Sequence, residues 1–211
     1  MSATKGQRIG IWAIAIFMFV GTIGSFVAIV LANNNQQSDQ TRANELYKAY
    51  QKEVADQSTQ LSEKYFNTFN QYSSRPAAFD AASVTELQTN DIVVGDGEDI
   101  TSESSFTAYY IGWNPTGKVF DSSIEGTTLK APFTAAPGGV IEGWTKGVNG
   151  MKVGGVRELT IPASLAYGEQ GSGADIPANT PIKFILMIIP TPATIQPSPE
   201  LLKYYQAGLL Q

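Results

Sequence analysis

The residues best placed to do chemistry lie around Val140-Ile141-Glu142-Gly143-Trp144. Two β-branched apolar residues that run into a glycine and a tryptophan can end an apolar strand in a turn and lay an indole on the floor of a cavity. Tyr110 and Phe120-Asp121 precede this stretch, and Tyr167 and Phe184 follow it. What such a set offers is non-covalent chemistry: ring faces and edges, phenolic hydroxyls and one carboxylate. Taken singly, each aromatic is equally well explained as core packing, because an indole or phenol buried in a small sheet needs no function.

The rest of the inventory narrows the choice. The chain of 211 residues contains no cysteine and no histidine. Disulfides and thiolate sites are therefore impossible. The commonest metal ligand, the usual general base at neutral pH and any Ser-His-Asp arrangement are missing as well. Fourteen Lys plus Arg against nineteen Asp plus Glu leave a net charge of −5, which argues against a nucleic-acid partner, since phosphate neutralisation drives that binding. Neither a metal nor a cofactor is expected.

Three motifs fail on inspection. Gly112-Trp113-Asn114-Pro115-Thr116-Gly117-Lys118-Val119 nearly spells a phosphate-binding loop, but Val119 lacks the hydroxyl that would hold magnesium, and Val119-Phe120 reads as a strand; a hairpin turn through 114–117 accounts for it better. Asp96-Gly97-Glu98-Asp99 lacks the ligand alternation and distal glutamate of a calcium loop and reads as a solvated acidic turn. Gly168 to Gly173 has no βαβ context and reads as a flexible flap.

The elements that must position these residues begin at about Ala82. Glycine and proline become frequent there, and short runs rich in Val, Ile, Thr, Tyr and Phe predict strands over 91–94, 106–112, 118–120, 153–161 and 182–189. Only Trp144 to Met151 looks helical. The expected fold class is α+β, a curved, mostly antiparallel sheet around one brief helix. Asp121 follows Phe120 directly, so it alternates to the opposite face unless the strand bends or bulges there. Pro190, Pro192, Pro197 and Pro199 stop the sheet soon after Ile189, and Glu200 to Leu210 could form a short terminal helix.

Together the stretches after Asp91 resemble the FKBP-type peptidyl-prolyl isomerases. The resemblance rests on Val94-Gly95-Asp96-Gly97, Tyr109-Tyr110-Ile111-Gly112, Gly117 to Ser123, Val140 to Trp144, and Ile161-Pro162 through Ala166-Tyr167-Gly168, followed by Ile176-Pro177, Asn179-Thr180 and Phe184. It covers roughly residues 85 to 190. It implies a bent antiparallel sheet of five or six strands wrapped on a short helix, and a pocket between them for proline-containing polypeptides and for macrolide inhibitors. Carried over residue by residue, the catalytic set is Tyr110, Phe120, Asp121, Tyr167 and Phe184, and the substrate-binding set is Phe133, Val140, Ile141 and Trp144. Trp144 matches the floor, Tyr167 the hydroxyl that bonds a substrate carbonyl, and the Ile141 backbone a second hydrogen-bonding point. The chain departs from the family between Ser123 and Pro132, where it is longer, and at Gly139, Ser172 and Asp175, where a glutamate, a histidine and an apolar residue are common.

Upstream, Ile9 to Ala32 carries no charge over 24 residues. As a helix it would rise roughly 36 Å, enough to cross a hydrocarbon core of about 30 Å. Lys5 and Arg8 precede it, so the positive-inside rule leaves residues 1–8 in the cytoplasm and the rest on the extracytoplasmic side of the membrane, as a single-pass protein. A cleaved signal peptide is the rival, disfavoured because the apolar stretch exceeds the usual 7 to 15 residues or so. The expected order is thus an anchor at 9–32, a linker and helical stalk at 33–81, an isomerase domain at 82–190 and a Pro-rich tail at 191–211. Within the stalk, Leu46, Tyr50, Val54, Leu61, Tyr65, Phe69 and Tyr72 recur at helical steps. They form either a stripe that packs on the following domain or a dimerising face for a homodimer, and the heptads are irregular for a coiled coil.

Overall fold

The computed structural model describes residues 36–210, so the apolar stretch Ile9–Ala32 lies outside it. Among the described residues no helix is long and apolar enough to cross a membrane. Helix α1 runs from Gln36 to Asn70. Strands β1 (Gln88–Val93), β2 (Phe106–Trp113), β3 (Val119–Ser122), β4 (Ile124–Glu125), β5 (Thr128–Leu129) and β6 (Phe133–Ala135) follow. After them come helix α2 (Glu142–Gly147), strands β7 (Val156–Ile161) and β8 (Ile182–Ile189), and helix α3 (Pro199–Gln206).

The chain divides into two compact units. One contains α1 up to Gln57 and the tail from Thr194; the other is Ser58–Ala193. In the first unit, Ser198 caps α3 by accepting from the Leu201 N–H at 3.1 Å, with Pro199 at the first helical position, a regular start signal for a helix. Ala43 and Leu201 are buried. Tyr47 meets Tyr205 edge to face at 6.3 Å, and Gln40 Nε2 donates to the Leu209 carbonyl at 2.7 Å. The sequence expectation of a terminal helix is met, and its partner is the N-terminal part of α1.

The second unit is built on an antiparallel sheet in the order β1-β7-β8-β2-β3, with β6 pairing the start of β2. β2 and β8 are central and almost wholly buried. A half-covered strand alternates apolar and polar, whereas one covered on both faces is apolar along almost its whole length; Ile182 to Ile189 is of the second kind, with Lys183 as its one polar residue. One face carries Phe106, Ala108, Leu159, Ile161, Phe184 and Leu186 against α2. The other carries Tyr109, Ile111, Trp113, Ile185 and Met187 against Phe69 and Tyr72.

Residues 58–70 of α1 therefore belong to this unit. Phe69 is fully buried, with its ring 6.0 Å from that of Tyr109, and Tyr65 lies at the same distance from Tyr109. Ser62 Oγ accepts from the Leu129 N–H at 2.8 Å. The later part of the predicted stripe, Tyr65, Phe69 and Tyr72, packs on the domain as the plainer reading required. Burial, then the neighbouring Tyr65, pushes the Tyr109 phenol up to about 12. The folded chain thus holds a proton that the unfolded chain releases near pH 10. The expected result in urea titrations is a stability contribution fully present below pH 10 and lost as the pH rises from 10 towards 12.

Helix α2 sits close to β7 because the positions that face this strand, Gly143 and Gly147, lack side chains. A Cβ on Gly147 would lie 2.6 Å from Leu159 Cδ1, and one on Gly143 would run into the Ile161 side chain. The helix is Glu142–Gly147, earlier and shorter than the predicted 144–151.

Candidate functional site

The site starts from β2. With Tyr109 and Ile111 committed to one face, the period of two turns Tyr110 to the face covered by α2. There its ring meets that of Trp144 edge-on at 5.4 Å. Trp144 is 5% exposed and also meets Phe184 at 5.0 Å and Phe133 at 5.7 Å, both nearly perpendicular. Phe120 meets Phe184 at 5.5 Å. Edge-to-face packing at these separations is the favoured arrangement of aromatic quadrupoles. Residues far apart in sequence, from β2, β6 and β8, thus converge on the indole of α2, and Phe120 of β3 joins them through Phe184. Phe106, which sequence reasoning missed, lies 6.3 Å from Trp144 on the same face; its spacing of four from Tyr110 carried the signal.

Asp121 reaches this cluster through a bulge. Gly112 pairs with Asp121 but Trp113 with Val119, which leaves Phe120 as the extra residue in β3. A bulge restores a side chain to the face that alternation would deny it. Asp121 Oδ2 accepts from the Tyr110 hydroxyl at 2.7 Å, and Oδ1 accepts from the Ser122 N–H at 2.8 Å. Lys130, directly after β5, lies 3.9 Å from Asp121 and donates to the Ser122 carbonyl at 2.8 Å. Burial first, then the charge of Asp121, its hydrogen bond and Tyr167 raise the Tyr110 pKa far above the usual phenol value. The hydroxyl stays protonated and stays a donor.

Opposite Asp121, Gly112 has no side chain for a reason of space. A Cβ there would collide with the Phe184 ring and lie 2.8 Å from Phe120. Val140, Ile141 and Tyr167 are partly buried and pack on the same core. Ile141 caps α2 from the extended region, and its carbonyl accepts from the Trp144 N–H at 3.0 Å. All nine residues expected from the sequence therefore border one apolar face of the sheet.

The loop after Tyr167 is a hydrogen-bonded structure rather than a free flap. Ser172 N–H donates to Ile176 O at 2.7 Å and Asn179 N–H to Gly168 O at 2.8 Å. Ile176 is buried in the core. Asp175 turns to the β2–β3 hairpin, where Lys118 Nζ bonds its carboxylate at 2.6 Å and Asn114 Nδ2 its carbonyl at 2.9 Å. A cleft of about 490 Å³ lies elsewhere, between Ser58–Asn67 and Thr127–Leu129. Its lining is mostly serine, threonine and asparagine around one glutamate, with Leu129 and the single ring of Phe66, so it brings no aromatic convergence and the cup is the better site.

This face of the antiparallel sheet thus presents a cup of aromatic rings with one hydrogen-bonded hydroxyl–carboxylate pair, Tyr110 and Asp121, at its border. The family model for FKBP-type peptidyl-prolyl cis-trans isomerase matches residues 97–189. A probable FK506-binding protein of Corynebacterium glutamicum is 41% identical over 106 residues, which cover 49% of this chain and 86% of that one. FK506-binding protein 4 of Dictyostelium discoideum is 46% identical over 105 residues, 49% of this chain; the chain spans only 28% of that relative's length. The crystal structure of AtFKBP13 shares 34% identity, with 50% of this chain and 93% of that chain covered and a TM-score of 0.45. The chain belongs to the FKBP-type peptidyl-prolyl cis-trans isomerase family.

Proposed function

We infer that this chain isomerises peptidyl-prolyl bonds in extracytoplasmic polypeptides by seating the proline on Trp144. The observation that carries this reading is the convergence of the Tyr110, Phe133 and Phe184 rings on one indole within 5.0 to 5.7 Å. Rotation about an amide faces a barrier of about 18–20 kcal/mol because resonance must be broken. No bond is made or cut, so no nucleophile is needed. The twisted amide has a less polar carbonyl than the planar one, and a dry aromatic cup favours it relative to water. A thousandfold acceleration requires about 4 kcal/mol of such differential binding. Phe120, Phe184 and Tyr110 wall the cup, with Phe133, Val140 and Ile141 around the ring. The Tyr167 hydroxyl and the Ile141 N–H hold the flanking backbone, and Asp121 fixes the Tyr110 hydroxyl.

Residues 9–32 would anchor the chain in the membrane, with Lys5 and Arg8 on the cytoplasmic side, residues 33–81 as linker and stalk, and the isomerase domain of 82–190 outside. The absence of charge over that stretch supports the anchor. Macrolides of the family's inhibitor class are expected ligands of the same cup.

The test is prolyl isomerisation by the full chain, followed by protease coupling or by NMR exchange, with and without such a macrolide. Macrolide-sensitive turnover is the expected result. Peptide binding without turnover would replace the enzyme with a proline-peptide binding module. Crosslinking of the solubilised chain is expected to give monomer if the stripe is spent on the domain; a dimer would show that α1 pairs between copies. With no histidine to titrate and the Tyr110 proton retained, the rate is expected to stay nearly flat between about pH 6 and 8. A sigmoid centred near neutrality would count against the mechanism.

A further inference from the structure

Arg157 lies on β7, outside the cup, and is 7% exposed. A buried guanidinium needs both a counter-charge and acceptors for its donors, and here it has both. Asp91, its register partner on β1, accepts from Nε and, at 3.0 Å, from Nη2, a two-pronged pairing. Nη1 donates to the carbonyl of Gly147 at 2.8 Å and to that of Asn149 at 3.0 Å. These acceptors lie at and just past the C-terminal end of α2, where helical carbonyls have no partner within the helix. One turn earlier, Trp144 O accepts from Val148 N–H at 2.9 Å, so the indole's own turn of backbone is joined to the carbonyls that the guanidinium holds.

We propose that Arg157, oriented by Asp91, is a positioning residue that fixes α2 from behind and so sets the depth and tilt of Trp144 in the cup. The helix has six residues, too few to hold itself by its own hydrogen bonds. Val148 and Leu159 locate it laterally by apolar contact, which is non-directional, whereas the guanidinium fork fixes two carbonyl oxygens in a plane. Lysine would keep the charge but lose the fork. The inference rests on the cup being the isomerase site only for its effect on turnover, not for its effect on Trp144.

The experiment uses the full chain labelled with 5-fluorotryptophan, whose three tryptophans, Trp12, Trp113 and Trp144, give three fluorine resonances. Trp144→Phe assigns the one that matters. In Arg157→Met the Trp144 resonance is expected to shift and broaden while that of Trp113 stays in place, and kcat/KM is expected to fall about tenfold at a temperature where the protein is folded. Arg157→Lys should recover most of the loss, to within about threefold of the parent, and Asp91→Asn should lie between. If Arg157→Met fails to fold, the lysine and asparagine variants carry the same two readouts. An unmoved Trp144 resonance in a folded variant overturns the proposal, as does a shift of Trp113 and Trp144 together, which would mean general loosening. A parent protein without turnover would overturn the isomerase reading instead, and the resonances would still decide whether Arg157 holds Trp144.

Discussion

Replacement of Trp144 by leucine is expected to lower kcat/KM for prolyl isomerisation by about ten- to a hundredfold, or about 1.4 to 2.8 kcal/mol of transition-state binding. The rings of Tyr110, Phe133 and Phe184 all meet the indole. A leucine fills part of the volume but gives a proline ring no flat floor. Some stability goes too, though less than the 3–5 kcal/mol of a truncation to alanine, so progress curves must be taken where circular dichroism shows the variant folded. Phe120→Leu is the companion, because Phe120 touches Phe184 at the rim; its loss should be smaller. Unchanged turnover in both variants would place the site elsewhere.

The second large effect is on stability and comes from outside the segment that the family model covers. Phe69→Ala is expected to cost about 3–5 kcal/mol, a large share of the 5–15 kcal/mol typical of a whole domain. Phe69 has no exposed surface and packs on Tyr109 and Tyr72. Tyr109 lies on the face of β2 opposite Tyr110, so kcat/KM of the folded fraction should change little. Urea unfolding measures the first and an assay at low urea the second. A loss under 1 kcal/mol would mean that α1 merely rests on the sheet.

Much of this was legible in the sequence, and the misses have causes. Both ends of β8 can be read from the sequence, because a run that is apolar except for Lys183 lies between Pro181 and Pro190. β7 was expected from Val153 but begins at Val156, since Gly154 at φ +89° and the Gly155 N–H to Lys152 O bond make 153–155 a turn; valine there looks the same in a turn as in a strand. The β4–β5 hairpin passed unnoticed because two-residue strands carry no period. Alternation alone leaves Asp121 open between two faces, and the pairing of Gly112 and Trp113 with β3 shows the bulge that decides it. Arg157 gave no signal, because its burial depends on Asp91, 66 residues away, and on a helix end that no local pattern announces.

The two-sidedness of β2 has a consequence for how such a gene can change. Successive codons of this strand serve different masters: Tyr110 answers to the cup, and Tyr109 and Ile111 to the core beneath α1. Loss or gain of a single codon within the strand would exchange the two sets at once, offering the proline a face made for packing and the core a face made for recognition. Substitutions can be tried one at a time here, whereas changes of length cannot. Diversity in length is accordingly expected in connections such as 123–132, and not in the strand that bears Tyr110.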